Sequence, residues 1–229
     1  MFLFKNSLPN SIYSQTRLQQ MPQIAVKASG YNILERPANF HQRVLELIAS
    51  AKVRIMMTML YLQDDEAGRE VMEALYEAKR RNPKLYIRVY VDFHRAQRGL
   101  IGATGDSRTN ADMYRDFAQD QELAPHVYGV PVKRREIFGV MHLKGFVFDD
   151  TVLYSGASIN NVYVNYANQK YRLDRYHEIQ SKELANSFCR FTNEVFHINY
   201  AVQDFSQGNI RPAKEMKNEI KMLQRSLTK

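Results

Sequence analysis

His142 and Lys144 stand two residues apart in the run 141–149 (MHLKGFVFD), and the small-residue run 156–160 (GASIN) follows it. In an extended chain alternate side chains share a face, so the imidazole and the ammonium point the same way. That pair suits a phosphodiester. The imidazole can attack phosphorus or move a proton near neutral pH. The ammonium can hold the non-bridging oxygens while charge redistributes. Asp149 lies an odd number of residues from His142, which an unbroken strand would turn to the opposite side. The pattern therefore needs a bulge or turn near Asp149, Asp150 and Thr151, or a site reached at the strand's end.

The elements that must position these residues can be traced by periodicity. Phe40, Val44, Leu47 and Ile48 predict a helix over 40–51, with Asn39 as its N-cap. Residues 53–62 read as a buried strand and 65–81 as a second helix, stopped before Asn82 and Pro83. Residues 85–92 read as another strand. Helix-strand-helix-strand order implies a parallel pair in an α/β sheet. Ligands of such sheets gather beyond the carboxyl ends of strands. Arg95 and Arg98 sit there, either clamping a phosphate or diphosphate or lying in a solvated loop.

Residues 100–110 read as a loop, 111–120 as a short helix, 126–130 as a strand and 152–155 as the partner strand of the motif. Lys133, Arg134 and Arg135 just precede the motif, as phosphate contacts or as solvated surface. Residues 163–178 interleave Tyr with Arg, a composition that suits lipid headgroups or nucleic acid and equally a half-buried surface. Residues 181–200 read as helix. Residues 211–229 read as a basic amphipathic helix, packed on protein or laid on a membrane.

Composition narrows the partners. The 229-residue chain carries a formal charge of +8, which calls for an anionic partner. Its single cysteine, Cys189, excludes an internal disulfide and sits at core spacing, as expected of a reducing compartment. No apolar run approaches a membrane span, and the N-terminal residues lack the apolar region of a signal peptide. Residues 1–35 are expected to be a basic arm, 36–205 the folded domain and 206–229 a basic helix. No His, Cys and carboxylate cluster has metal-ligand spacing, so no metal or other cofactor is expected.

The run from His142 to Asp149, with Gly156 and Asn160 behind it, resembles the H-x-K-x-x-x-x-D signature of the phospholipase D superfamily and its trailing G-S-x-x-N. Ala157 stands where that superfamily usually has Ser, and Ser155 and Ser158 flank it as substitutes. Longer stretches resemble the Gram-negative bacterial phosphatidylserine synthases of the phospholipase D type. These are residues 91–99 (VDFHRAQRG), 109–112 (TNAD), 128–131 (YGVP), 138–163 with YSGASINN, 170–176 (KYRLDRY) and 209–212 (NIRP). In that narrower family Ala at 157 is expected, while Phe93 stands where Trp is expected.

The resemblance implies an α/β fold: a mixed sheet flanked by helices, forming one half of a pseudo-dimer. It implies phosphatidyl transfer from CDP-diacylglycerol to L-serine through a phosphatidyl-histidine intermediate. His142 would then be nucleophile or acid/base partner, Lys144 would hold phosphate oxygens, and Asp149 and Asn160 would organise the site. It also implies a cytoplasmic location, peripheral on the anionic inner membrane, with no nucleic acid partner. Family members carry two such motifs in a chain about twice this long. The expectation is thus a fragment whose second half is elsewhere, or a site completed by a second copy. Two rivals remain: a nuclease-like phosphodiesterase working as a homodimer, and an inactive binding half.

Overall fold

The residues after Lys144 form β5 (Gly145–Phe148), buried along its whole length at the middle of a sheet. The computed structural model describes residues 21, 23–99, 108–120, 122–168 and 171–227. Its other strands are β1 (Tyr31–Leu34), β2 (Arg54–Thr58), β3 (Tyr86–Asp92), β4 (His126–Val130), β6 (Thr151–Ser155), β7 (Tyr176–Gln180) and β8 (Gln203–Asp204). The sheet order is β1-β7-β6-β5-β2-β3-β4-β8. Pair β2–β3 is parallel, as the element order predicts, β3–β4 is parallel as well, and the rest are antiparallel. The helices are α1 (Pro37–Ser50), α2 (Glu66–Arg81), α3 (Phe93–Ala96), α4 (Asn110–Asp116), α5 (Asn161–Val164), α6 (Lys182–Phe191) and α7 (Lys217–Leu227).

Alternation along β5 explains why it is apolar on both sides. Phe146 stacks on Phe40 of α1, with ring centroids 6.0 Å apart. Gly145, its neighbour, lies under Phe188 of α6. The two helices therefore cover opposite faces. A Cβ at Gly145 would come within 2.4 Å of the Phe188 ring, and the residue's φ of +156° also favours glycine. Gly145→Ala is expected to destabilise the fold by about 3 kcal/mol. Phe188→Leu in that background is expected to restore part of it, read as Tm in thermal denaturation.

Several expected boundaries shift for physical reasons. Residues 31–34 of the expected arm form edge strand β1, paired with β7 through Tyr31↔Ile179 and Leu34↔Tyr176. Residues 1–20 and 22 of that arm lie outside the described residues. Helix α1 starts at Pro37, whose fixed φ suits the first turn, so Arg36 and not Asn39 is the N-cap. Strand β2 ends at Thr58, whose hydroxyl donates to Gly145 O at 3.0 Å, rather than running to 62. In the expected loop 100–110, Asn110 instead opens α4, capped by Thr109, while residues 100–107 lie outside the described residues.

The helix expected over 181–200 ends at Phe191 and continues as a π-helix over Thr192–His197. There the Thr192 hydroxyl bonds to Phe188 O and Cys189 O, within the turn where the α-helical ladder gives way. The C-terminal helix begins at Lys217, after a 3-10 turn over Ala213–Glu215. Its apolar face packs on protein: Met216, Ile220 and Leu223 join the core that holds β5. Cys189 is a free, buried thiol.

Candidate active site

His142 and Lys144 lie just ahead of β5. Because β5 runs antiparallel to β2, that places them at the carboxyl ends of the parallel strands. Lys144 Nζ is 3.1 Å from His142 Nε2, so the shared face that their spacing predicts is realised. The lysine is buried and the imidazole exposed, so the pair opens to solvent through the histidine. An ammonium donates and cannot accept. As an ammonium, Lys144 donates to Nε2 and leaves the imidazole proton on Nδ1.

Burial first, and then the Lys144 charge, hold the His142 pKa below its ordinary value of 6.5. The lowering favours the neutral imidazole, the form that a nucleophile or general base requires. Burial also pushes the Lys144 ammonium down, with the Asp174 carboxylate opposing. In an NMR titration His142 is expected to titrate below 6.5, and in Lys144→Met to move part of the way back up, since burial remains.

A buried carboxylate fixes the start of this segment. Asp92 closes β3, and its Oδ2 accepts from Met141 N at 2.8 Å. Its Oδ1 caps α3, accepting from His94 N at 3.0 Å and Arg95 N at 2.9 Å. The sequence alone assigns Asp92 no role. An acid closing an apolar strand was the available signal.

The trailing turn meets the same edge. The Phe146↔Leu153 register, continued two residues, places Lys144 opposite Ser155. The Ser155 hydroxyl accepts from Ala157 N at 3.0 Å, so it supports the turn, and Ser158 is buried within that turn. Asn160 caps α5, its Oδ1 accepting from Tyr163 N at 2.8 Å. Its Nδ2 donates to the Tyr61 hydroxyl at 3.1 Å, which brings in a phenol that sequence reasoning missed. Burial pushes the Tyr61 pKa up, chiefly against the nearby Arg95 and Arg172 charges.

Asp149 is not part of this constellation. It occupies the β5–β6 turn, at the far end of β5 from Lys144, with φ +51°. Its Oδ1 accepts from Val53 N at 2.8 Å and Arg54 N at 2.9 Å, and its Oδ2 from Lys52 N at 2.9 Å. Both oxygens are thus committed to anchoring the start of β2. The turn that the odd spacing demands is present, and it leads the carboxylate away from His142, to the far end of β5.

Arg95 and Arg98 lie beyond β3 as expected, yet both are ion-paired. Glu136 takes Arg95 Nε at 2.8 Å and an Arg98 guanidinium nitrogen at 2.5 Å. The described residues contain no group of three or more His, Cys, Asp or Glu side chains placed to hold a metal ion. None of their helices is long and apolar enough to cross a membrane.

The CDP-diacylglycerol–serine O-phosphatidyltransferase of Haemophilus influenzae is 44% identical over 217 residues, covering 93% of this chain and 47% of that protein. Its Escherichia coli counterpart is 43% identical, with the same coverage. The chain thus spans about half the length of these relatives. The crystal structure of the Haemophilus influenzae phosphatidylserine synthase matches with a TM-score of 0.86 at 42% identity, over 94% of this chain and 48% of that one. The phospholipase D family member Nuc from Salmonella typhimurium shares the fold, at a TM-score of 0.54 and 16% identity, over 77% of this chain and 99% of that one. The profile of the family described as "Cardiolipin synthase, PLD-like domain" matches residues 44–194, from within α1 into the π-helix, and the chain belongs to that family.

Proposed function

We propose that this chain supplies one motif-bearing half of an enzyme that transfers a phosphatidyl group from CDP-diacylglycerol to L-serine. The observation that carries the proposal is the His142–Lys144 pair, 3.1 Å apart at the carboxyl edge of the sheet. It sits in a fold that matches a solved phosphatidylserine synthase at a TM-score of 0.86.

In the first step an imidazole nitrogen attacks the phosphorus that bears diacylglycerol. A P–N bond forms, the P–O bond to the leaving phosphate breaks, and CMP departs with a proton from the second half's imidazole. In the second step the serine hydroxyl attacks phosphorus and the P–N bond breaks. The hydroxyl proton passes to the imidazole that protonated CMP, giving phosphatidylserine. His142 takes either the attacking or the proton-moving role, and its lowered pKa favours the attacking one, because a donor to CMP must begin as imidazolium. Lys144, which occupies the Nε2 lone pair in the free site, turns to the non-bridging oxygens when substrate enters. Asp92 and Asn160 hold the segments on which these groups sit. Arg95 and Arg98 reach a diphosphate only by sharing their charge with Glu136. The second half is a further stretch of chain or a second copy.

The lipid substrate sets the location: a cytoplasmic protein bound peripherally to the anionic inner membrane. A cavity of about 790 Å³ supports this, because six cations line it: Lys133, Arg134, Arg135, Lys214, Lys217 and Lys221. Phe138, which also lines it, and its chain neighbour Ile137 are 65% and 80% exposed. Cations on headgroups with apolar side chains in the interface is how peripheral proteins hold anionic membranes. No nucleic acid is assigned to this surface.

The test is incorporation of labelled L-serine into lipid with CDP-diacylglycerol micelles, for the chain alone and with a second motif-bearing half supplied. Labelled phosphatidylserine supports the proposal, and release of phosphatidic acid with no labelled lipid sinks it.

A further inference from the structure

The acceptor L-serine carries an ammonium and a carboxylate, and its hydroxyl must be turned toward phosphorus. A subsite for it needs an anion and a cation close to Lys144 that the fold has not already neutralised. One segment of the described residues offers both. It runs from 171 to 175 and leads into β7.

Asp174 is placed by the sheet. Ser155 pairs with Tyr176 across β6 and β7, and Lys144 falls opposite Ser155 on the other side. The three chains therefore end side by side, and two strand spacings separate the outer backbones by about 10 Å. Asp174 Oδ1 accepts from Gly156 N at 3.1 Å and Arg175 N at 2.7 Å. Its Oδ2 comes so close to Gly156 that a Cβ there would lie 2.6 Å away. No hydrogen bond to Oδ2 and no ion pair to this half-buried carboxylate occurs among the described residues. It is near enough to Lys144 to favour its charged form.

Arg172 is the matching cation. Its backbone N donates to Val162 O at 3.1 Å, and its guanidinium lies 5.8 Å from the centroid of the Tyr163 ring. Tyr163 N is bound to Asn160, which binds Tyr61, so Arg172 lies beside the turn that Asn160 caps. No carboxylate pairs with it among the described residues, whereas Arg95 and Arg98 share Glu136.

We infer that Asp174 and Arg172 form the acceptor subsite, Asp174 binding the ammonium of L-serine and Arg172 its carboxylate, so that the hydroxyl faces the phosphorus held at Lys144. The inference rests on the transferase reading above. Both residues determine acceptor specificity through substrate contact. An acid beside a cationic pair also excludes a second anionic lipid from the acceptor position, which favours a zwitterion over a phosphate-bearing alcohol.

The test compares three acceptors in the two-half assembly: L-serine, 3-hydroxypropionate, which lacks the ammonium, and ethanolamine, which lacks the carboxylate. Asp174→Asn keeps the oxygen that binds Gly156 N. It is expected to lower kcat/KM for serine about tenfold or more, chiefly through KM, while changing 3-hydroxypropionate less than about threefold. Arg172→Gln is expected to reduce serine by a similar factor and to spare ethanolamine. Equal losses for all three acceptors, or unchanged selectivity, would overturn the inference. If the wild-type assembly makes no phosphatidylserine, the transferase reading fails on its own account. L-serine binding to this chain, read by saturation-transfer NMR, then decides the subsite: binding abolished in Asp174→Asn supports it, and binding retained or never present overturns it.

Discussion

His142→Ala is expected to lower CMP release from CDP-diacylglycerol by about 10³-fold or more, because either role assigned to the imidazole is lost with it. A nucleophile cannot be replaced by water at the same geometry, and a lost proton carrier leaves CMP as an unassisted leaving group. Lys144→Met is expected to cost about 10²- to 10³-fold, since a donor aimed at developing phosphate charge disappears. The two losses should not add. Lys144 also donates to Nε2, so its removal frees the imidazole tautomer, and the double variant should sit close to His142→Ala alone. Steady-state CMP release on the four proteins checks this. A Lys144→Met enzyme with unchanged kcat and a raised KM would show that the ammonium binds substrate and transition state equally.

Asp149→Ala is expected to act on stability instead. Three backbone N–H groups at the start of β2 lose their acceptor, and alanine must adopt a φ near +51°. Together these should cost about 2–3 kcal/mol. Activity per folded molecule should stay near wild type, whereas a catalytic Asp149 would lose turnover with no change in Tm. Asp149→Asn, which tolerates the left-handed backbone and keeps one acceptor, should fall between. Burial pushes the Asp149 pKa up, but the N–H groups of Arg54, Lys52 and Val53 and the Arg54 charge outweigh it and hold the pKa below 3.8. A depressed carboxylate contributes stability above its unfolded pKa and loses it as pH falls through the folded one. The Tm gap between wild type and Asp149→Ala should therefore be full at neutral pH and narrow below about pH 4.

Much of this was legible in the sequence because it follows from local rules. The i, i+2 spacing of His142 and Lys144 predicts their shared side whatever surrounds them. The helix-strand-helix-strand order predicts the parallel pairing of β2 with β3. Tertiary partners were not legible. Asp149 fits the motif's spacing, and only the adjacency of β2 shows where its oxygens are spent. Glu136 lies far in sequence from Arg95, so the neutralisation of that arginine could not be read. Asp92, Tyr61 and Asp174 reach the site through contacts spanning 18 to 99 residues. Strand β1 is short, mostly exposed and at an edge, with a pattern that resembles an arm until β7 pairs with it.

The central claim is that the His142–Lys144 edge performs phosphatidyl transfer to serine. CMP release from CDP-diacylglycerol in mixed micelles, with and without L-serine, tests it most directly, using this chain alone and with a second motif-bearing half. The account predicts release that depends on serine and disappears in His142→Ala. Release at the same rate without serine, or release that survives His142→Ala, would contradict it.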